Sequence, residues 1–183
     1  KPHFGYWQVT STPTGAEVLL DGKPVGSSPV ARGQISSGLH ELTVRKSLYH
    51  DHKETFTIED GEDRTFSINL KPAFGELVVT SDPSGAKVFV DEREVGVTPY
   101  RNSQQPSGSY SIRLAQNLYS DARDNVTVSD GQKSEKFIAL SKNYGTLSIT
   151  ANGAEIFLNN SRVGSNSYNA NLTPGQYKVK ATK

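Results

Sequence analysis

The sequence predicts an all-β protein made of tandem small antiparallel β-sandwich domains of about six to seven strands each, the third copy incomplete. Three observations predict it. One arrangement of residues recurs without a gap at the step from Gly15 to Gly85, 70 residues. Within each copy apolar residues alternate with a period of two, as a half-buried strand requires. No segment carries a sustained helical period. The domains expected are residues 1–72, 73–143 and 144–183, the last a partial copy.

The repeat is dense. Phe4-Gly5 falls on Phe74-Gly75, Val25-Gly26 on Val95-Gly96, Gly38 on Gly108, Leu48-Tyr49 on Leu118-Tyr119, and Asp60-Gly61 on Asp130-Gly131. A third copy opens at Tyr144-Gly145 and has no counterpart of residues 116–140. Each copy approaches the lower size limit for independent folding, where a domain of about 60 residues buries only ~60% of its unfolded surface.

The first strand of each copy is expected near Tyr6–Thr10, Glu76–Thr80 and Thr146–Thr150, with Trp7/Val9, Leu77/Val79 and Leu147/Ile149 pointing inward. Asp82-Pro83-Ser84-Gly85 has the residues of a type I turn. It is expected to join that strand to the next as a hairpin. In the third copy Asn152-Gly153 stands there, the signal for a tight two-residue hairpin. The second strand offers Ala16/Val18/Leu20, Ala86/Val88/Val90 and Ala154/Ile156/Leu158, and Asp21-Gly22 reads as a reversal after it. A short extended piece follows at Ser28-Pro29-Val30 and Thr98-Pro99-Tyr100, then a polar loop to the glycine at 38, 108 or 175. Beyond it His40/Leu42/Val44, Tyr110/Ile112/Leu114 and Tyr177/Val179/Ala181 face inward. Two or three further strands are expected to close the unit, at Leu48-Tyr49, Thr55–Ile58 and Phe66–Leu70, with equivalents 70 residues on. Linkers are three residues, Lys71-Pro72-Ala73 and Ser141-Lys142-Asn143, which leaves little slack.

These motifs resemble the PEGA repeat family: Pro13-Thr14-Gly15-Ala16 with Asp21-Gly22, Gly26, Ser28-Pro29 and Gly38-Leu39-His40, then Pro83-Ser84-Gly85-Ala86 with Asp91, Gly96, Thr98-Pro99 and Gly108-Ser109-Tyr110. The second copy departs at Glu92, where a glycine belongs, and the third at Asn152, Asn159-Asn160 and Asn166-Ser167. The resemblance implies small β-sandwiches in arrays of bacterial surface, periplasmic or lipoprotein-type proteins, hence an extracytoplasmic location. It also implies a non-catalytic role as spacer or interaction module.

Composition excludes little but points the same way. Net charge is +1, so no global field attracts nucleic acid or anionic membrane. There is no cysteine, hence no disulfide framework or thiol chemistry. No stretch approaches the roughly 20 apolar residues of a membrane span. The chain opens at Lys1 and has no methionine, which predicts a processed or excised segment.

Candidate chemistry is sparse, and neither catalytic, cofactor nor metal residues are assigned. His50-Asp51-His52 has metal-ligand types, but the second copy reads Ser120-Asp121-Ala122 there and no third ligand is apparent. The run Glu59-Asp60-Gly61-Glu62-Asp63 lacks the spacing of an EF-hand loop and reads as a charged hairpin tip. No nucleophile elbow, metalloprotease helix or phosphate loop appears. Leu19, Phe89 and Phe157 share a position of outward parity, and Val78 is expected to pair with Phe89. These four are the candidate interaction patch. The expected partner is a protein or neighbouring domains of the same polypeptide. A cell-wall glycan is the alternative, with Tyr6, Trp7, Tyr49, Tyr119 and Tyr168 as the aromatics a binding platform would draw on.

Overall fold

The computed structural model describes residues 3–183 and is all strand and turn. In the first copy the strands are β1 (Phe4–Thr12), β2 (Glu17–Leu20), β3 (Lys23–Ser27), β4 (Val30–Ser36), β5 (Gly38–Arg45), β6 (His52–Ile58) and β7 (Asp63–Asn69). They form two sheets, β4-β1-β7 and β3-β2-β5-β6. Trp7, Val9, Ile35, Phe66 and Ile68 of the first sheet and Val18, Leu42, Val44, Phe56 and Ile58 of the second make one buried cluster. Within the first sheet β1 pairs parallel to β7, Tyr6 opposite Asp63 through Thr12 opposite Asn69. The strands that open and close the copy thus lie side by side, a pairing that needs the whole copy as its crossover.

The second copy repeats this order with β8 (Phe74–Asp82), β9 (Lys87–Val90), β10 (Arg93–Val97), β11 (Tyr100–Pro106), β12 (Gly108–Ala115), β13 (Ala122–Val128) and β14 (Lys133–Ala139). Its sheets are β11-β8-β14 and β10-β9-β12-β13. The chain divides into two compact units. One holds the described residues through Leu77 with Asn102–Gly108 and Thr127–Ser134; the other holds Val78–Arg101, Ser109–Val126 and Glu135–Lys183.

The turn after the first strand differs from the sequence expectation. β1 and β2 belong to different sheets, as do β8 and β9, so the chain arches from sheet to sheet instead of closing a hairpin. The Thr12-Pro13, Ser28-Pro29, Asp82-Pro83 and Thr98-Pro99 peptide bonds are cis. Hydroxyls tie the corner together. The Ser28 hydroxyl accepts from the Ala16 amide at 3.0 Å and meets the Ser11 hydroxyl, while Gly15 N donates to the Ser28 carbonyl. Thr98, Ser81, Ala86 and Gly85 repeat every one of these contacts. A buried hydroxyl left without a partner would cost about 1–3 kcal/mol, so the corner needs both oxygens.

In the third copy β15 (Gly145–Leu158) runs straight through Asn152-Gly153, pairs with β16 (Ser161–Leu172), and pairs at its end with β17 (Val179–Thr182). The tight hairpin expected at Asn152-Gly153 is instead a bulge: Ala151 faces Asn166 and Glu155 faces Ser165, and Gly153 takes a φ of 70°. Ala151 stands where Ser81 stood, so the corner hydroxyl pair is gone, and Asn166 Oδ1 accepts from Gly153 N. The hairpin lies one turn later, at Asn159-Asn160, with φ of 47° and 68°. Asp21-Gly22 and Asp91-Glu92 have matching positive φ values, the two-residue turn that suits strand twist.

The polar stretches before Gly38 and Gly108 are not loops but β4 and β11. Each is an edge strand, where polar residues are tolerated on both faces, so alternation could not reveal it. Leu48-Tyr49, expected as a strand, is a turn touching the linker by a single bridge from Tyr49 to Pro72.

Candidate functional site

The structural feature that recurs most closely, apart from the corner, is the strapping of each linker. Leu48 and Leu118 adopt φ of 67° and 68°, a conformation that bulky residues rarely take. This turns Tyr49 and Tyr119 onto the first residue of the following copy. Tyr49 meets Phe74 edge to face at 5.7 Å, and Tyr119 meets Tyr144 at 6.2 Å. Ala73 N donates to the Leu48 carbonyl and His50 N to the Lys71 carbonyl. Asn143 N to Leu118 and Ser120 N to Ser141 repeat the pair. The first strap lies wholly in one compact unit and the second wholly in the other.

Glycine fixes the ends of the strap. A Cβ on Gly75 would sit 2.4 Å from the Ser129 carbonyl oxygen and 2.5 Å from that of Gln132. Gly5 is under the same constraint, 2.8 Å from Glu62 O. The aromatic-glycine pair that opens the first two copies is thus a surface residue for the strap beside one that must lack a side chain.

The first strap has one further contact. His50 Nε2 lies 2.6 Å from Asp130 Oδ2, and the Ser107 hydroxyl donates to the other carboxylate oxygen. The Ser107 hydrogen bond, and after it His50, hold the Asp130 carboxyl below its usual range. His50 is thereby committed to a carboxylate. His52 points elsewhere, with Nε2 3.6 Å from Glu54 and no hydrogen bond of its own. Among the described residues no group of three or more His, Asp or Glu side chains could hold a metal ion.

The four candidate patch residues do not come together. Leu19, on β2, is buried between Pro24 and Thr43 in register. Phe89 is half-buried on β9, with the Arg113 guanidinium 3.6 Å from its ring centre. Val78 lies on β8, in the other sheet of that copy, and so does not pair with Phe89. Phe157, also half-buried, stands between Arg162 and Lys180 in register. Arg113 is fixed in turn by Glu92 at 2.9 Å and Asp121 at 3.2 Å, and Arg123 bonds the same Glu92. The two arginines, Arg123 foremost, lower the Glu92 carboxyl. Glu92 makes these contacts from a left-handed backbone at φ 63°. The sequence showed the missing glycine; only the register Arg113 opposite Phe89 shows what the carboxylate serves.

Aromatics and acids are similarly dispersed. Trp7 is in the core, Tyr6 lies under Arg32 at 3.5 Å, and Tyr49 and Tyr119 are spent on the straps. Asp60 takes the Ser37 hydroxyl and Asp63 takes Arg32 at 2.7 Å, so the acidic hairpin tip is internally paired.

The family model for the PEGA domain matches residues 4–73 and again residues 74–143. The chain belongs to the PEGA domain family. Both matched segments open on the aromatic-glycine pair and close just before the next one. PEGA domains are in general a non-catalytic repeat family. No curated protein matches the chain. Among solved structures it is similar to the Bacillus anthracis TIE protein, with 16% identity and a TM-score of 0.39 over 99% of this chain and 45% of that one. It is also similar to BcpA, the major pilin subunit of Bacillus cereus, with 12% identity and a TM-score of 0.35 over 100% of this chain and 88% of that one. The chain therefore spans less than half the length of the first of these.

Proposed function

We propose that this chain is a non-catalytic extracytoplasmic repeat array that spaces or presents other domains and makes protein contacts. Its folding units are residues 1–72, 73–143 and the partial copy 144–183. The observation that supports this reading is the strap: two linkers, 70 residues apart, are held by the same backbone bonds and the same tyrosine-on-aromatic contact. A chain of independent binders has no need to order its linkers, since flexible linkers let separate sites find their ligands. A spacer does need it. The outward Phe89 with its Arg113 lid and the half-buried Phe157 are the surface through which contacts are made, aromatic and arginine side chains being the types that dominate interface energetics.

The test uses the absence of cysteine, which allows single cysteines to be placed cleanly. Spin labels at Lys53→Cys and Asn125→Cys, read by pulsed electron resonance, are expected to give one narrow distance distribution. Tyr49→Ala is expected to broaden it. A distribution already broad in the otherwise native chain would remove the basis for the spacer. Labelling of intact source cells by an antibody to the chain tests the location; labelling only after lysis would refute it.

A further inference from the structure

His40 is buried on β5 with an acceptor at each ring nitrogen. Nδ1 lies 2.7 Å from Asp21 Oδ2, and Nε2 lies 2.9 Å from the Ser36 carbonyl oxygen. A carbonyl cannot donate, and the Ser36 hydroxyl, the one group at Nε2 that could, stands off at 3.4 Å. Asp21 is a carboxylate, its other oxygen taking the Glu41 amide at 2.9 Å. A neutral imidazole carries one N–H and can satisfy only one of the two.

The third copy shows which bond the position requires. Counting from the glycine at 38 and 175, Tyr177 is the equivalent of His40 and Thr173 of Ser36. The Tyr177 hydroxyl donates to the Thr173 carbonyl at 2.7 Å. A donor to the carbonyl four residues earlier is therefore common to both copies. With Nε2–H so assigned, Nδ1 can bond Asp21 only if it too carries a proton.

We propose that His40 is a proton-operated clasp: as an imidazolium it ties the Asp21 turn of one sheet to Ser36 of the other, and losing one proton releases one tie. Asp21 sits at the end of β2 and Ser36 on β4, so the ring spans the sandwich. The charged groups around it are Asp21, Lys23 beside Asp21 on β3, and exposed Glu41 on β5. From β6 the Phe56 ring faces it at 5.8 Å, with Arg64 of β7 5.5 Å from that ring; Asp60 reaches the β4–β5 turn through Ser37. Burial disfavours the charged ring, but the Asp21 bond, the Ser36 carbonyl and the Asp21 charge outweigh it and raise the His40 value. A raised histidine stabilises fully below its unfolded value, about 6.5, and the gain is lost as pH rises through the folded value. Asp21 is lowered, by the Glu41 amide first and His40 second, so its share is lost in acid. The other copies have Tyr110 and Tyr177 here, whose hydroxyls donate without taking a positive charge.

The deciding measurement is nitrogen-15 NMR of the ring nitrogens of His40 in the whole chain. At pH 6 both are expected protonated, with a midpoint above the ordinary histidine value. A single protonated nitrogen at pH 6, or an ordinary or lower midpoint, overturns the proposal without any variant. Alongside it, the amides of β2 and β5 are expected to exchange faster, relative to those of β9 and β12, at pH 9 than at pH 6. His40→Tyr, which installs the other copies' donor, should abolish that difference. A difference that survives the substitution would also overturn it.

Discussion

In the first copy Phe56 and Phe66 meet edge to face at 4.7 Å and both are buried, while the second copy has Val126 and Lys136 at those positions. Val126 and Lys136 are half-buried, and Lys136 forms an ion pair with Asp124 at 2.5 Å. Trp7 likewise becomes Leu77. Yet Val9 and Val79, Val18 and Val88, Leu42 and Ile112, and Val44 and Leu114 are all fully buried. The two copies share these aliphatic core residues and diverge at the aromatic ones. What both copies keep is the corner and the aliphatic core; the remaining core positions are filled by whatever rings or pairs each copy carries.

The sharpest break of this comparison is at the aromatic positions. Phe56→Ala should cost about 3–5 kcal/mol, as large-to-small changes at buried rings do. Val126→Ala should cost well under half of that, because less area leaves water and less is lost. Amide exchange measured separately in β6 and β13 distinguishes the two. Equal losses would mean the two positions are energetically alike despite their composition.

Next comes the glycine that opens each copy. Gly75→Ala drives a methyl group against two backbone carbonyls and should cost about 1–3 kcal/mol of strain. Gly145→Ala meets nothing within 4 Å and should leave the melting temperature unchanged. The pair asks whether close approach, and not strand position, is what requires glycine.

The smallest effect sharpens a surface difference. Glu92→Gly relieves a left-handed backbone and removes two arginine contacts, so it should be nearly neutral in denaturant titration. Gly22→Glu should be measurably unfavourable, because Thr43 and Lys53 stand where Arg113 and Arg123 stand in the second copy. Two neutral outcomes would show that the ion-pair cluster contributes nothing.

The sequence made the repeat, the inward parity and the family legible, because glycine, proline and alternating apolar residues record backbone demands directly. Trp7, Val9, Val18, Leu42 and Val44 are buried as their spacing implies. It did not reveal the arch, since Pro-x-Gly-Ala between two apolar strands reads alike whether the strands pair or face each other. Ser11 and Ser28 are the overlooked signal: hydroxyl residues recur at 81 and 98, at buried or half-buried positions where alternation alone would place an apolar residue. By parity His40 is one more inward position, and its two acceptors come from Asp21 and Ser36, 19 and four residues away. His50 and Asp130 are 80 residues apart, so no local pattern joins them.

The corner also bears on how such chains tolerate length changes. Where it is two residues shorter and has lost its hydroxyls, β15 crosses from one half of the copy to the other as a single ribbon of 14 residues. Insertions or deletions in an ordinary exposed loop alter little beyond the loop. At this bend a two-residue edit decides whether a ribbon folds back over itself or lies open, so indels here select between architectures.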